Sequence, residues 1–406
     1  MVSTPSDTVA VAIDVGKNEF AFSAKTSARD VLVKPQLHRP MTASGLAAAV
    51  SVLQARIDPT ASVKVGIEAA GHYHLPLLVA ARWPTSWELL ELNPGHVTEL
   101  RRVLGKRSVK NDATDLEAMT ELLLSGQGTA VGVLSDALEQ LRAWAGQRRA
   151  RVEAASMLHN QLLTHLDRSF PGLTLAIKDV LGTKVGRLVA AEFADPARLA
   201  ALGEARFIRF ASTRGLMVQK RVAARLVAAA HDALPTLQAS AHREVLAGDL
   251  ALLHQLEEQT NTAEVAMERL LPSTPFEILQ SVPGWAVVRA GTYGAALGDP
   301  TRFTNYRQVY RSAGLNPILY ESAGKRRGEL QISREGSVAL RTALVDMGRG
   351  LWLNDPSAKA YAATLRARGK KGKVIGCAMA HRANRIAFAL VRDQTPYKPE
   401  CWRTSD

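Results

Sequence analysis

The chain has 406 residues, 47% of them hydrophobic, with 51 Lys and Arg against 38 Asp and Glu for a net charge of +13. That length allows two or three domains, and that much apolar surface excludes a globally disordered chain. Two cysteines, Cys377 and Cys401, exclude a disulfide framework and a cysteine-built zinc site and fit a reducing compartment.

The elements follow in chain order. Thr8–Val15 (TVAVAIDV) is a continuous apolar run of the kind that forms a buried strand. Gly16-Lys17-Asn18 turns the chain, and Glu19–Ala24 and Asp30–Lys34 read as two further strands of a meander. Thr42–Ile57 predicts an Ala/Leu-rich helix and Ser62–Ile67 a fourth strand ending at Glu68. Ala69-Ala70-Gly71 leads into a helix expected near Tyr73, and Trp87–Leu92 predicts a fifth strand. A helix follows, broken around Gly105, resumed over Asn111–Leu124 and stopped by Gly126 and Gly128. The order β-β-β-α-β-α-β-α is the ribonuclease-H-like order, so the expected fold class is α/β at the N-terminus followed by α.

Ser135–Leu166 and His242–Leu271 read as long helices, with Leu138, Leu141, Ala145 and Leu162 on the first and Leu246, Leu250, Leu253 and Met267 on the second spaced by threes and fours. That spacing predicts coiled-coil or bundle packing. Ala205–Ala233 between them predicts a basic helix. After Pro272-Ser273-Thr274-Pro275, Leu279–Trp285 reads as a hairpin resembling a helix-turn-helix, and the last helices carry Arg366, Arg368, Lys370, Lys371 and Lys373. The expected division is 1–130, 131–272 and 273–406. From Phe276 onward there are 21 Lys and Arg against 10 Asp and Glu, so nearly all the net charge sits in the last third, the electrostatic footprint of nucleic-acid binding. Met1–Asp7 lacks the start of a signal peptide and no stretch is apolar for about 18 residues, so the expectation is a cytoplasmic protein with no membrane partner.

Four carboxylates stand out. Asp14 follows a buried strand, Glu68 ends another, and Asp112 and Asp115 share one helix face at i, i+3. Hard divalent cations such as Mg²⁺, with Mn²⁺ as a substitute, take carboxylate oxygens and substrate phosphate together. Two such ions about 4 Å apart can activate a nucleophile and stabilise a leaving oxygen. Each acid also has a plain structural role open to it: Asp14 in a turn, Glu68 on the surface, Asp112 as a helix cap, Asp115 in a first turn. His72 and His74 lack a third ligand and read as helix-start or substrate-contacting polar residues.

Ser322 lies in Glu321-Ser322-Ala323-Gly324-Lys325-Arg326-Arg327-Gly328. Small neighbours admit a phosphate and the three cations can neutralise it. The same segment also reads as a basic turn in which the hydroxyl bonds the backbone, and Ser333 is a rival. Arg148, Arg149 and Arg151 on the first long helix, with Lys325, Arg326, Arg327, Lys370, Lys371 and Lys373, are the candidate nucleic-acid contacts.

The segments AIDVGK, GIEAAGHYH, KNDATDLEA, SVPGW, FTNYRQVYRSAGLNP and ESAGKRRGELQISREGSVALR, with the terminal RGKKGK region, carry a resemblance in their order and spacing. The chain resembles insertion-sequence transposases that join an N-terminal RuvC-like DEDD domain to a C-terminal serine-bearing transposase domain, the bridge-RNA-guided recombinases. The resemblance covers both ends of the chain, and the central helices match in character alone. It implies transposition or site-specific recombination of DNA, metal roles for Asp14, Glu68, Asp112 and Asp115, and a nucleophile role for Ser322. It also implies donor and target DNA, a structured guide RNA, and a homo-oligomer (a dimer or tetramer) in which acids and serine of different subunits meet. The pattern departs at Pro283-Gly284-Trp285-Ala286, where Pro-Gly-x-Gly is frequent, at Ser322-Ala323, where Ser-Gly is usual, and at Arg334, where Lys is common. A RuvC-like hydrolytic nuclease and a nucleic-acid-binding protein without catalysis are the alternatives.

Overall fold

The apolar run at the N-terminus forms the middle of a mixed sheet in a computed structural model of the protein, which describes residues 8–104, 111–131, 135–236, 239–318, 321–322, 325–326 and 331–399. β1 (Thr8–Val15) pairs antiparallel with β2 (Glu19–Thr26), which pairs antiparallel with β3 (Val31–Pro40). β3 is longer than the sequence suggests and its register against β2 slips at several points. After α1 (Ala43–Gln54), β4 (Ser62–Glu68) lies parallel to β1 and β5 (Glu88–Leu92) parallel to β4. α2 (Pro94–Val103) and α3 (Asp112–Leu124) follow, and β6 (Thr129–Ala130) closes the edge antiparallel to β5. The order across the sheet is β3-β2-β1-β4-β5-β6, as expected of a ribonuclease-H-like domain.

One expected helix is absent. Instead of a helix from Tyr73 there are two single 3₁₀ turns, Leu75–Leu78 and Ala80–Arg82. The buried Trp83 donates its indole N–H to the Leu77 carbonyl at 2.7 Å and packs back on the first of these turns.

By contacts the chain divides into two compact units. One holds the described residues 8–131 with Asp299–Thr304, and the other holds Ser135–Gly298 with the described residues from Asn305 on. In the second unit α4 (Asp136–Ser169) and α9 (Ala239–Leu270) pack along each other. Between them in sequence come α5 (Leu173–Ala176), α6 (Lys184–Glu192), α7 (Pro196–Ser212) and α8 (Lys220–His231). The expected single helix over 205–233 is thus two helices. The Leu216 N–H closes α7 on the Ala211 carbonyl at 3.0 Å before α8 begins. Leu162, Leu166, Phe170, Phe207, Leu226 and Leu246 are fully buried together in this part of the core. Arg187 on α6 grips Glu257 on α9 with two hydrogen bonds of 2.6 Å, and that contact holds the Glu257 carboxyl below its usual range.

α10 (Val287–Leu297) and α11 (Tyr306–Ser312) lead to the short strands β7 (Pro317–Ile318), β8 (Glu321–Ser322), β9 (Lys325–Arg326) and β10 (Gln331–Ile332). α12 (Val338–Asn354), α13 (Pro356–Ala367) and α14 (Gly372–Asp393) complete the described chain. The hairpin around Gly284 is the anchor here. Gly284 has φ +82°, and a Cβ there would stand 2.6 Å from the Gly350 carbonyl on α12. The neighbouring Trp285 is 1% exposed and donates its indole N–H to the Met347 carbonyl at 2.8 Å.

Candidate active site

Strand alternation decides where the acids go. Val9, Val11, Ile13 and Val15 of β1 pack with Leu46, Ala49 and Leu53 of α1, on one face of the sheet. Ala10 and Ala12 point the other way and pack with Leu116, Met119 and Leu123 of α3. Asp14 continues the even series and so belongs to the α3 face. β4 repeats the pattern: Val63, Val65 and Ile67 lie on the α1 face, while Gly66 and Glu68 lie on the other. Ile13 pairs with Ile67, so the next residues along, Asp14 and Glu68, are neighbours at the ends of two parallel strands. Ala10, Ala12 and Gly66 are small because α3 runs directly over them; a Cβ on Gly66 would sit 2.7 Å from the Leu123 side chain.

α3 presents its first turn to these strand ends. Asn111 caps it, accepting from the Thr114 N–H at 2.9 Å while its own N–H reaches the Thr114 hydroxyl at 3.3 Å. Asp112 is exposed and Asp115 is buried. Asp14, Glu68, Asp112 and Asp115 all line one cavity of about 490 Å³, together with Glu19, His38, Thr98 and Arg101. At its rim the exposed His38 Nδ1 lies 3.0 Å from the Glu19 carboxylate.

Arg101, which the sequence reading passed over, brings a guanidinium to the cavity. Val97, buried, and Arg101 share a face of α2 at i, i+4, and the Arg101 guanidinium donates to the Asp115 carboxylate. Both side chains are largely shielded from solvent, at 13% and 10% exposure. Among the described residues no three His, Cys, Asp or Glu are gathered closely enough to hold an ion directly. The donor set still suits a hard divalent cation: the four acids share one cavity with Glu19, and a positive group already sits on Asp115.

Ser322 lies in the second unit, on β8, with Lys325 of β9 as its register partner and Arg326 opposite Glu321. Arg327 lies outside the described residues, and for Lys325 and Arg326 only the backbone is described. Arg148 donates to Glu264 of α9 at 2.7 Å. Arg149 lies 4.0 Å from Glu153 one turn on, and Arg151 buries its Nε without a hydrogen-bond partner among the described residues. Lys370, Lys371 and Lys373 are exposed at the start of α14.

Residues 11–171 match the family model of the IS110-type DEDD transposase domain, described as a transposase, and residues 276–363 match the model of the transposase IS116/IS110/IS902 family. The chain is 25% identical over 297 residues to the insertion element IS110 uncharacterized 43.6 kDa protein of Streptomyces coelicolor, covering 71% of this chain and 72% of that protein. It is 27% identical over 248 residues to the insertion element IS900 uncharacterized 42 kDa protein of Mycobacterium paratuberculosis, covering 59% of this chain and 58% of that one. A probable family 20 transposase of Pseudomonas aeruginosa is 26% identical over 159 residues, 36% of this chain and 47% of its own. A DEDD domain of this kind points to divalent-metal dependence. No helix among the described residues is long and apolar enough to cross a membrane. With both domain models matched in order over most of the chain, the protein belongs to the IS116/IS110/IS902 family of insertion-sequence transposases and is a DNA transposase.

Proposed function

We propose that this transposase cuts and rejoins DNA through a serine-phosphate link, with Asp14, Glu68, Asp112 and Asp115 as the metal-holding acids and Ser322 as the nucleophile. The observation that carries the reading is the shared cavity into which two strand ends and one helix start bring all four acids. Bound there, Mg²⁺ or Mn²⁺ would supply positive charge against the scissile phosphate and its leaving oxygen. The acids fix where that charge sits, because Asp14 and Glu68 stand on paired strands and Asp115 is buried.

Ser322 Oγ attacks the scissile phosphorus, its proton passing to a carboxylate or water. The P–O bond to one deoxyribose breaks, and that sugar leaves as a free hydroxyl. The bond energy is kept in the phosphoserine, so attack by another deoxyribose hydroxyl reseals the strand and frees the serine. A cation in register with Ser322, Lys325, supports a site for phosphate. DNA as donor and target, with a structured guide RNA, is the partner set, supported by the basic last third of the chain. Exposed apolar residues on the long helices, Met157 on α4 and Val265 on α9, support assembly of several copies, so that acids and serine could come from different subunits. The site of action is the cytosol or nucleoid.

The test mixes protein, Mg²⁺, DNA spanning the element junction and RNA transcribed from its flanks, and resolves the products on denaturing gels. A protein–DNA adduct in wild type, lost in Ser322→Ala and in Asp14→Asn, is the expected result. Cleavage without an adduct would replace the serine by water and make the protein a hydrolytic nuclease. Binding with neither product, across a range of junctions, would leave a protein without catalysis.

A further inference from the structure

We propose that α11 and α14 form a second nucleic-acid contact, a clamp in which Arg307 and Arg385 hold phosphates of a duplex backbone. It rests on the nucleic-acid part of the reading above and needs neither the acids nor Ser322.

The two helices are tied together from inside. Asn384 is fully buried and donates its side-chain N–H to the Tyr306 carbonyl at 2.7 Å. The His381 ring stands edge-on to both tyrosines of α11, 5.8 Å from Tyr306 and 5.0 Å from Tyr310. The Tyr310 hydroxyl donates to the Cys377 carbonyl at 3.3 Å. On this platform two exposed arginines, one from each helix, lie over the same ring: Arg385 at 5.4 Å and Arg307 at 5.9 Å from the centre of Tyr306.

The sequence of these helices is basic. From Pro356 to Arg385 there are eight Lys and Arg and no Asp or Glu, and Asn305 to Tyr320 holds Arg307 and Arg311 with no acid. The field is felt inside. Burial pushes the His381 imidazole towards its neutral form, and Arg385, Arg382 and Arg307 push the same way. The Arg307 side chain, bonded to the Tyr306 phenol, draws that group below its usual range.

The arrangement favours phosphates over bases. Two guanidiniums and the His381 ring already stand against the Tyr306 ring, and the charge that they bring there favours phosphate. A guanidinium lying over a ring keeps its in-plane N–H groups for other acceptors, and that fork matches phosphate oxygens. Holding both arginines against an aromatic surface reduces the side-chain freedom lost on binding. A duplex backbone, which presents phosphates at fixed spacing without requiring a free base, is the ligand this chemistry fits.

The experiment compares wild type with the double variant Arg307→Gln, Arg385→Gln in EDTA, so that nothing is cut. Fluorescence anisotropy follows binding of a labelled DNA duplex, an RNA duplex of the same sequence and a single strand over a salt titration. Two lost phosphate contacts should lower the slope of log affinity against log salt by about 1.8 on a duplex, with an affinity loss that does not depend on its sequence. A change on the DNA duplex, the RNA duplex or both names the source of the backbone. An unchanged slope on both duplexes overturns the clamp, and so does a loss confined to the single strand, which would make the face a base-stacking one. Failure of the serine chemistry would be read in the trapping gel and leave this result intact.

Discussion

The Arg101 guanidinium on α2 and the Asp115 carboxylate on α3 form an ion pair inside the acid-lined cavity. A paired, shielded carboxylate is costly to leave alone, so Arg101→Met should destabilise the first unit by on the order of 3 kcal/mol in EDTA. If a divalent cation can take the guanidinium's place, Mn²⁺ should raise the Tm of the variant more than that of wild type. Equal Mn²⁺ shifts would mean that Arg101 and the ion do not share Asp115.

Gly66 sets how closely α3 approaches the sheet. In Gly66→Ala the new methyl would press on the side chains of Leu123 and Leu92. Overpacking of this kind costs about 1–3 kcal/mol. It should also tilt α3 by pressing on its last turn, where Leu123 lies, and the part of that tilt that reaches Asp112 and Asp115 in the first turn should show as a fall in strand exchange beyond the loss of stability. Adding Leu123→Val returns the space, and activity should recover in the double variant. Activity equal to wild type in the single variant would dissociate helix position from chemistry.

Trp285 joins the hairpin before α10 to α12. Trp285→Phe keeps most of the bulk but removes the second donor from the Met347 carbonyl, which keeps its partner within α12, at a cost of about 0.5–1.5 kcal/mol. Trp285→Ala adds a cavity and should cost about 3–5 kcal/mol. Chemical denaturation of the two variants measures both, and equal losses would mean that the indole N–H contributes nothing beyond packing.

His381 makes part of the stability pH-dependent. Its folded pKa is depressed below the ordinary 6.5, first by burial and then by Arg385, Arg382 and Arg307. As pH falls through 6.5 the unfolded chain takes up a proton that the folded chain refuses, so stability is full above that pH and erodes towards the depressed value. Between pH 7.5 and 5.5 wild type should lose Tm relative to His381→Phe. A constant difference across that range would remove His381 from the acid sensitivity. His242, also depressed, contributes with the same sign in both proteins and cancels in the comparison.

The continuous apolar run TVAVAIDV made the central strand legible in sequence, and strand geometry carried the site with it: once Ala10 and Ala12 face one way, Asp14 follows. The span of α3 was legible from the glycines that close it, while its cap is Asn111, which forms a capping box with Thr114, and not Asp112. Contacts made across the fold were not legible. The Trp83 side chain folds back on the Leu77 carbonyl of the 3₁₀ turns, and no periodicity reports that. Arg101 reads as one cation among several until α2 lies beside α3. Tyr306 and His381 stand 75 residues apart in the chain and meet only when α11 docks on α14. The break after Ser212 has a signal in the sequence: Thr213–Gln219 holds no alanine, and Gly215 within it takes the left-handed backbone that stops a helix.

The pairing of α4 with α9 dictates an order of events during synthesis. Leu158, Leu162 and Leu166 near the end of α4 are covered in part by Leu246, Leu253 and Leu256 of α9, with α5 to α8 threaded between. At about 5–20 residues per second a ribosome needs several seconds to deliver that partner. Through that interval the apolar stripe of α4 has no α9 to cover it. A nascent chain halted before Ala239 should therefore bind hydrophobic chaperones, and one extended past Leu270 should release them.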